Sequence, residues 1–582
     1  MSTTKVVDIT GLAGDVEDKA TWVSNLWTKY NDQRASKLSE WDEYRDYVFA
    51  TDTTTTSNSS LPWKNKTTLP KLCQLRDNLH SNYKSSLFPN DDWVRWEGST
   101  VNDSVLKKRK IIEAFIKNKA RSSSFRTVFS SLLLDYIDYG NCFATVDYVT
   151  KYKEEEDGSR ITDYTGPVPR RISPLDIVFN PQAASFEDSF KVVRSLKTIG
   201  EIALMAEEQP ENRAYSEALR RRQAVRLTKG GPTTEDTRKA QGYAMDGFGN
   251  YHEYLLSDYV EILTFYGDFY DKETDKVHKD RRIVVIDRCN VVEDELQKSW
   301  FGHSPIYHVG WRMRPDNLWG MGPLDNLVGM QYRIDHLENL KADAMDLAVH
   351  PMLKIKGEVE EFDYEPGGRI FIDENGDVGE LGNNLGGVIT ANNEIAELEA
   401  KMELYAGAPR EAMGVRSPGE KTAFEIQRLE NASGRIFQEK ITHFEVELLE
   451  PVLNAMLESA RRHLDTSDIA RSTDSTSGLV DFLSVTKEDI TAQGLLRPIG
   501  ARHFAAQAQL VQNLTGIFNS PLGQMISPHT SSVELAKLLG DTLGVDRFGL
   551  FKPNVALSEQ AETQAIASQM QEDQEVVNRT NV

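Results

Sequence analysis

Three cations within a short stretch, residues 407–421, are the clearest candidates in this sequence for residues with a chemical role. They are Arg410, Arg416 and Lys421. Guanidinium and ammonium groups bind phosphate, and a few such contacts give weak binding that permits a polyanion to slide. Each cation can equally pair with a nearby carboxylate, namely Glu411, Glu420 or Glu425. The residues leave both interpretations open.

The same stretch has the composition of a loop that can move. Four of its residues interrupt regular structure: Pro409, Gly414, Pro418 and Gly419. Proline fixes one backbone angle and glycine admits conformations closed to other residues, so together they favour a loop with hinge points. We expect residues 407–421 to form such a loop.

The sequence contains no enzyme motif that would give these cations a catalytic role. There is no Gly-x4-Gly-Lys-Ser/Thr phosphate loop, no His-Glu-x-x-His zinc motif and no Gly-x-Ser-x-Gly elbow. His303 and His308, with Cys289, make a weak metal-binding candidate, because histidines beside aromatic strands are usually packed or exposed. We expect no catalytic residue, no metal and no cofactor.

Composition describes a folded, acidic chain. Its 582 residues are 39% hydrophobic and carry a formal net charge of −22. That sign is wrong for a protein whose main surface grips DNA. It suits a wall past which DNA slides, with repulsion reaching about 8 Å at physiological salt, and it equally suits simple solubility.

Neither a membrane span nor a disulfide framework is expected. The apolar runs are far shorter than the ~20 residues that cross a bilayer, and the N-terminus has no basic-then-apolar signal pattern. The three cysteines, Cys73, Cys142 and Cys289, are far apart and form no Cys-x-x-Cys pair. We expect folding in the cytoplasm of the producing cell, with free thiols.

A helix of unusual length, 422–464, is predicted after the loop, with capping residues that could also start it earlier, at Ser417. Ser417, Pro418 and Glu420 form a capping box, and Thr422 with Glu425 offers a second start. The helix would span roughly 65 Å at ~1.5 Å per residue. Its apolar residues recur at steps of mostly three or four: Ile426, Leu429, Ile436, Phe437, Ile441, Phe444, Leu448, Val452, Met456 and Ala460.

Pro451 lies inside this predicted helix. Proline removes one backbone hydrogen bond and crowds the carbonyl four residues earlier, which predicts a kink near Glu447. The alternative is a pair of ordinary core helices that meet at Glu450 and Pro451.

Periodicity predicts helices and strands along the rest of the chain. The expected helices span 17–50, 71–88, 103–120, 124–138, 324–349, 392–405, 497–518, 530–543 and 556–576. The expected strands span 89–96, 143–148, 171–179, 259–270 and 281–291, with a strand-like region at 352–389. Residues 271–280 read as a long polar hairpin loop and residues 466–478 as a linker.

Two segments resemble the portal, or head-to-tail connector, proteins of short-tailed bacteriophages. The first is GEKTAFEIQRLENASGRIFQEKITHFEVELLEPVL, which begins at Gly419 and includes the long-helix region. The second runs from Pro305 through Trp311-Arg312 to Trp319-Gly-Met-Gly-Pro323, directly before a helix. The resemblance extends more weakly over residues 60–520.

The resemblance implies an α+β, predominantly helical portal fold with wing, stem, clip and crown, assembled as a ring that is by likeness a dodecamer. The implied function is a DNA channel at one capsid vertex of the virion, assembled in the host cytoplasm, through which the viral genome is packaged and ejected. The implied partners are the major capsid protein, the terminase large subunit, a tail adaptor or head-completion protein, a scaffolding protein and double-stranded DNA. ATP chemistry then belongs to terminase.

The resemblance also divides the chain. It implies an N-terminal helix and polar loop (1–60), a first wing part (61–195), a stem and clip region containing the β-hairpin (196–323) and a stem helix (324–350). A second wing part (351–406), the tunnel loop (407–421), the long kinked wing helix (422–464) and a crown with the C-terminal tail (465–582) follow.

The amphipathic helices themselves favour assembly. Each apolar stripe needs neighbours, and copies packed around an axis in a cyclic heterologous arrangement can supply them. The rival function is another head–tail ring, such as an adaptor or tail-tube component. An enzyme with a divergent site is a third class, which an ATPase assay would test.

Overall fold

The computed structural model describes residues 6–9, 16–88, 93–98, 103–154, 160–208, 215–216, 259–271, 275–286, 290–297, 305–349, 353–356, 377–380, 386–407, 436, 438–464, 468–473, 480–491 and 494–498. Helices and strands are mixed along the chain, which confirms the predicted α+β class. The chain forms two compact units. The first comprises Met1–Ser86 and Ser122–Ala460, and the second comprises Leu87–Arg121 and Arg461–Val582.

A six-stranded sheet forms one core of the first unit. Its order is β5 (Ile177–Phe179), β6 (Lys191–Thr198), β7 (Tyr259–Asp271), β8 (Lys276–Ile286) and β9 (Asn290–Leu296), and β1 (Val6–Ile9) lies parallel to β7. Helix α1 (Val16–Gln33) packs on this sheet through Ala20, Val23 and Trp27, which are fully buried against Leu263 and Phe265. The sheet is therefore closed by an apolar helix face.

The predicted hairpin of β7 and β8 is confirmed, but its polar loop is much shorter than expected. Strand β8 begins at Lys276, which pairs with Asp271, so most of the predicted loop 271–280 is strand. The polar residues suggested a loop, but Lys276, Lys279 and Asp280 are exposed strand residues. Strand pairing uses the backbone N–H and C=O groups, so it does not depend on these side chains. The expected strand 281–291 accordingly divides between β8 and β9.

A second sheet brings the Pro305–Pro323 segment against Gly140 and Asn141, at the start of its central strand. Its order is β10 (Ile306–Gly310), β3 (Asn141–Glu154) and β4 (Arg160–Ile172), so the expected strands 143–148 and 171–179 are parts of longer or separate strands. Asn141 donates to the Gly320 carbonyl at 3.1 Å and accepts from the Gly320 N–H at 2.8 Å. Gly140, with φ +63°, lies where a Cβ would collide with the backbone of Met321 and Gly322.

The helices before residue 210 mostly follow the predicted ones. The predicted helix 17–50 is two helices, α1 and α2 (Ala35–Val48), with a break at Arg34. The buried Arg34 guanidinium donates to the carbonyls of Pro174, Leu175 and Ile177 at 2.6–2.8 Å, which fixes the break. The expected helices 71–88, 103–120 and 124–138 are confirmed as α3 (Lys71–Leu87), α4 (Asp103–Ser122) and α5 (Phe125–Asp138), and α6 (Ile199–Glu208) follows.

The long helix is described from residue 438 onward and ends in α9 (Glu450–His463). The predicted distortion is a π-helical turn, Glu445–Leu449, directly before Pro451. The wider turn accommodates the missing proline N–H and the crowded Glu447 carbonyl. The backbone stays helical through Glu450, so the alternative of two separate helices is wrong.

The expectation that neighbouring copies cover the apolar stripes is wrong for most of the described part of this helix, with Ile436, which is 54% exposed, as the exception. Ile441, Phe444, Leu448, Val452, Met456 and Ala460 are at most 1% exposed within the single chain. The Phe444 ring, for example, packs edge-to-face on Tyr136 of α5, with a centroid distance of 5.2 Å. Periodicity shows that a face is buried, but not which chain buries it.

The second unit contains two short sheets. β2 (Val94–Gly98) pairs with β17 (Gly494–Pro498), and β15 (Asp468–Thr473) pairs with β16 (Val480–Val485), before α10 (Lys487–Ile490). The predicted linker 466–478 is therefore partly strand, and the predicted helix 497–518 begins as strand. The predicted helices 530–543 and 556–576 lie outside the described residues.

Candidate assembly surface

Helix α7 (Val328–Val349) continues directly from the Trp319–Pro323 motif. The Asp325 carboxylate accepts from the Gly322 N–H at 3.0 Å, and a single 3₁₀ turn, Asp325–Leu327, precedes the helix. The helix predicted from Leu324 therefore starts at Val328. This junction holds α7 against the glycine-rich contact described above.

The predicted apolar stripe, which runs from Leu324 along α7, is buried at its start and exposed toward its end. Leu324, Leu327 and Ile334 are at most 1% exposed, whereas Leu340 is 44% and Leu347 is 37% exposed. The chain thus covers the first half of the stripe and leaves the second half to solvent. Apolar side chains that follow a continuous helical stripe into solvent indicate a surface that another molecule covers.

A ladder of polar side chains fixes another face of α7. Its members recur every four residues: Gln331, Asp335, Asn339 and Asp343. Each bonds part of the stretch 64–72, which is extended as far as Pro70 and then begins α3. Asp335 accepts from the Thr68 hydroxyl and the Leu69 N–H at 3.0 Å, and Asn339 bonds both backbone groups of Thr67 at 2.7–2.8 Å. Asp343 accepts from the N–H groups of Lys64 and Asn65 at 3.0–3.1 Å.

The ladder places one carboxylate in an unusual environment. Burial raises the pKa of Asp335 to about 6, although its hydrogen bonds with Leu69, Thr68 and Gln331 oppose that rise. Asp343 is the opposite case. Burial acts to raise its pKa, but the N–H groups of Asn65 and Lys64 hold it below its ordinary value. Both groups position α7 rather than face a pocket.

Helix α8 (Gly386–Tyr405) returns antiparallel to α7. Arg333 pairs with Glu394 at 3.0 Å, Lys341 donates to Asn392 at 3.2 Å, and the strands β13 (Leu353–Lys356) and β14 (Asp377–Glu380) continue the two helices as a hairpin. The predicted helix 392–405 is confirmed and starts six residues earlier. The strand-like region 352–389 reduces to β13 and β14 among the described residues.

A buried ion pair ties the end of α8 to α3. The Lys71 ammonium lies 2.6 Å from the Glu403 carboxylate, and both side chains are at most 8% exposed. Lys71 also donates to Gln74 at 3.1 Å. This pair fixes the chain just before it enters residues 408–435.

The two helices and their hairpin, hereafter the helix pair (328–356 and 377–405), concentrate exposed apolar side chains. Nine of the eighteen large apolar side chains that are strongly exposed in the described chain lie here, in about one seventh of its residues. They are Tyr332, Leu340, Met345, Leu347, Val349, Ile355, Ile389, Leu404 and Tyr405. Scattered exposed apolar residues are ordinary, but such concentration on one element marks an interaction surface.

The helix pair is also acidic. Its helices α7 and α8 carry six carboxylates that are at least partly exposed, at 338, 343, 346, 394, 397 and 399, against three cations, at 333, 341 and 401; Asp335 and Glu403 are buried. Glu394 and Glu397 retain side-chain exposures of 41% and 67% even though Arg333 and Lys401 lie beside them. The surface therefore combines apolar contact area with negative charge.

Most of the sequence-predicted site residues fall outside the described chain. Arg410, Arg416, Lys421, Pro409, Gly414, Pro418 and Gly419 all do so, as do His303 and Cys289. The structure places Pro451 directly after the π-helical turn. The polar ladder was missed, although its four-residue spacing is visible in the sequence.

His308 and the described cysteines are packing residues. His308 stacks on Phe143 at 4.6 Å between ring centroids, and burial, assisted by Lys191, lowers its pKa to about 3. Burial likewise raises the pKa of the Cys142 thiol. Within the described residues no cluster of histidine, cysteine, aspartate and glutamate has the arrangement of a metal site.

Comparison with known proteins leaves the family open. No family model matches the chain, and a search of curated proteins finds no relative. In the part of the chain that the structure describes, every helix is too short or too polar to cross a membrane.

Proposed function

We propose that this chain is a portal subunit that assembles into a ring at one capsid vertex, through which double-stranded DNA is packaged and ejected. In this proposal the ring, a dodecamer by resemblance, also docks terminase and a tail adaptor, and it carries out no chemistry itself. The observation that supports it best is the helix pair, whose apolar stripe runs from a buried first half of α7 into a solvent-exposed second half.

The exposed apolar surface supports assembly with further copies. Burial of apolar surface yields about 25 cal/mol per Å², so each partly exposed leucine contributes roughly 1 kcal/mol when a neighbour covers it. Copies arranged around an axis repeat that contribution at every interface. Because the chain itself buries the stripe of the long helix from Ile441 to Ala460, the helix pair is the better candidate for the contact between copies.

The charge of the helix pair supports a passive conduit. An acidic wall repels the phosphate backbone over about one Debye length, so DNA moves past it without adhering. The proposed tunnel-loop contacts of Arg410, Arg416 and Lys421 would add weak, transient attraction.

The test is the oligomeric state of the purified full-length chain. Light scattering and negative-stain electron microscopy are expected to show rings with a central hole. A population of compact monomers at every protein and salt concentration would refute the proposal. A ring that binds tail proteins but neither terminase nor capsid protein would instead favour an adaptor or tail-tube component.

A matched pair of variants connects the ring to the helix pair. Leu340→Lys with Leu347→Lys is expected to shift the chain toward monomers while its circular dichroism stays unchanged. The control, Leu204→Lys with Leu296→Lys, alters leucines that are 59% and 63% exposed on α6 and β9. Equal loss of rings in both variants would show that the helix pair has no special role.

A further inference from the structure

A small basic hairpin precedes the helix pair. It consists of β11 (Arg312–Arg314) and β12 (Asn317–Met321), and Arg312, Met313 and Arg314 are all exposed. Among the described residues neither arginine takes part in an ion pair, whereas Arg194 and Arg281, for example, each face a carboxylate. Within the described part of the chain, Arg312 and Arg314 are therefore positive charges on the surface that no carboxylate neutralises.

The tryptophan next to them brings in a third cation, Lys440, whose ammonium also lies 3.9 Å from the Glu439 carboxylate. The Arg312 guanidinium lies 5.0 Å and the Lys440 ammonium 5.2 Å from the Trp311 ring centroid, so the two charges are at most about 10 Å apart. Trp311 is 2% exposed, and its indole N–H donates to the Tyr83 hydroxyl at 3.0 Å. A fixed ring therefore organises a cationic patch, defined here as Arg312, Arg314 and Lys440.

This patch answers an electrostatic requirement of the proposed ring. Each copy has a formal net charge of −22, so copies repel one another at long range. Association of like-charged chains needs local contacts where opposite charges meet, and such contacts also select the register of docking. Glu394 and Glu397 share a helix face. Arg333 and Lys401 pair with them in the same chain, but their carboxylate side chains remain 41% and 67% exposed and can meet a second cation.

We infer that the cationic patch of one copy docks on the Glu394–Glu397 face of α8 in the next copy. Two different patches meeting head to tail is the arrangement that a cyclic ring requires. The inference rests on the proposed function, because it names the interface by which the proposed ring closes. On the acidic side of the contact, the exposed Leu404 and Tyr405 contribute apolar area.

Charge reversal tests the interface. Arg312→Glu with Arg314→Glu is expected to raise the dissociation constant between copies at least about tenfold at low salt. At high salt the increase should be smaller, because salt already screens the attraction in the wild type. Sedimentation velocity of the full-length chain gives the measurement. Lys151→Glu with Lys153→Glu is the control, because it reverses two exposed lysines on β3 and is expected to leave assembly unchanged.

A charge swap separates interface loss from misfolding. Adding Glu394→Lys and Glu397→Lys to the double-arginine variant is expected to restore rings, which a folding defect would not allow. If wild-type rings form but the arginine variant assembles normally, or if the swap fails to restore assembly of a folded chain, the interface is refuted and the ring stands. If the variant assembles normally but binds duplex DNA less tightly in an anisotropy assay, the patch belongs to nucleic acid. Failure of the wild type to form rings refutes the proposed function instead.

Discussion

Replacement of Asp335 by asparagine should remove a specific pH dependence from the folding of this protein. The Asp335 carboxylate lies buried against segment 64–72, and burial raises its pKa from the ordinary 3.8 to about 6. An acid whose pKa is raised by folding binds its proton more tightly in the folded chain. Stability therefore rises as the pH falls from above the folded pKa toward the unfolded one.

The size of the effect follows from the two pKa values. The buried charge costs roughly 3 kcal/mol near pH 7, about half of that near pH 5, and little near pH 4. Asparagine keeps the shape of the side chain and carries no charge, so it is free of this dependence. The stability of the variant relative to the wild type should fall by about 2 kcal/mol between pH 7 and pH 4.

Urea denaturation of both proteins at each pH gives the measurement. Asp46 and Asp135 also have pKa values raised by burial, to about 6 and about 7, so only the difference between variant and wild type isolates Asp335. Asp343→Asn is the matched control from the same ladder. Its pKa is lowered from the ordinary 3.8, so its difference from the wild type should stay nearly constant between pH 7 and pH 5 and change with the opposite sign mainly below pH 4. A pH-independent difference for Asp335→Asn would refute the reasoning.

Two further predictions concern buried contacts. Glu403→Ala leaves the Lys71 ammonium buried without its carboxylate partner and is expected to lower the free energy of unfolding by about 3–5 kcal/mol. Lys71→Met combined with Glu403→Leu should recover most of that loss. A double-mutant cycle of denaturation measurements tests this, and equal stability of the single and double variants would contradict the prediction. Gly140→Ala adds a Cβ at φ +63° against the backbone of Met321 and Gly322 and is expected to destabilise the chain by at least about 3 kcal/mol. The drop in the thermal unfolding midpoint gives the measurement. Gly329→Ala is the control, because its added Cβ would meet no atom within 4 Å.

Local structure was largely predictable because it depends on side-chain periodicity. Helices α3, α5 and α8 and the β7–β8 hairpin follow patterns with periods near 3.6 and 2, which solvent and core impose on neighbouring residues. The failures lie where a distant contact decides. Arg34 breaks the predicted helix 17–50 because three carbonyls about 140 residues away accept its guanidinium.

The candidate surface was predictable only in part. The stripe of α7 is evident in the sequence, but nothing in its spacing distinguishes Ile334, which the chain buries, from Leu347, which it exposes. Spacing likewise does not show whether the chain itself or another copy buries Ile441 and its neighbours on the long helix. The ladder on α7 shows its four-residue spacing, yet its partner segment lies about 270 residues earlier, and no local rule joins the two.

The chain leaves the described fold at Gly407 and re-enters it beside the same point. A Cβ on Gly407 would lie 3.8 Å from a methyl group of Ile436, and the Lys71–Glu403 pair anchors the departure side. Residues 408–435, which lie outside the described residues, therefore connect two points of the chain that already lie side by side.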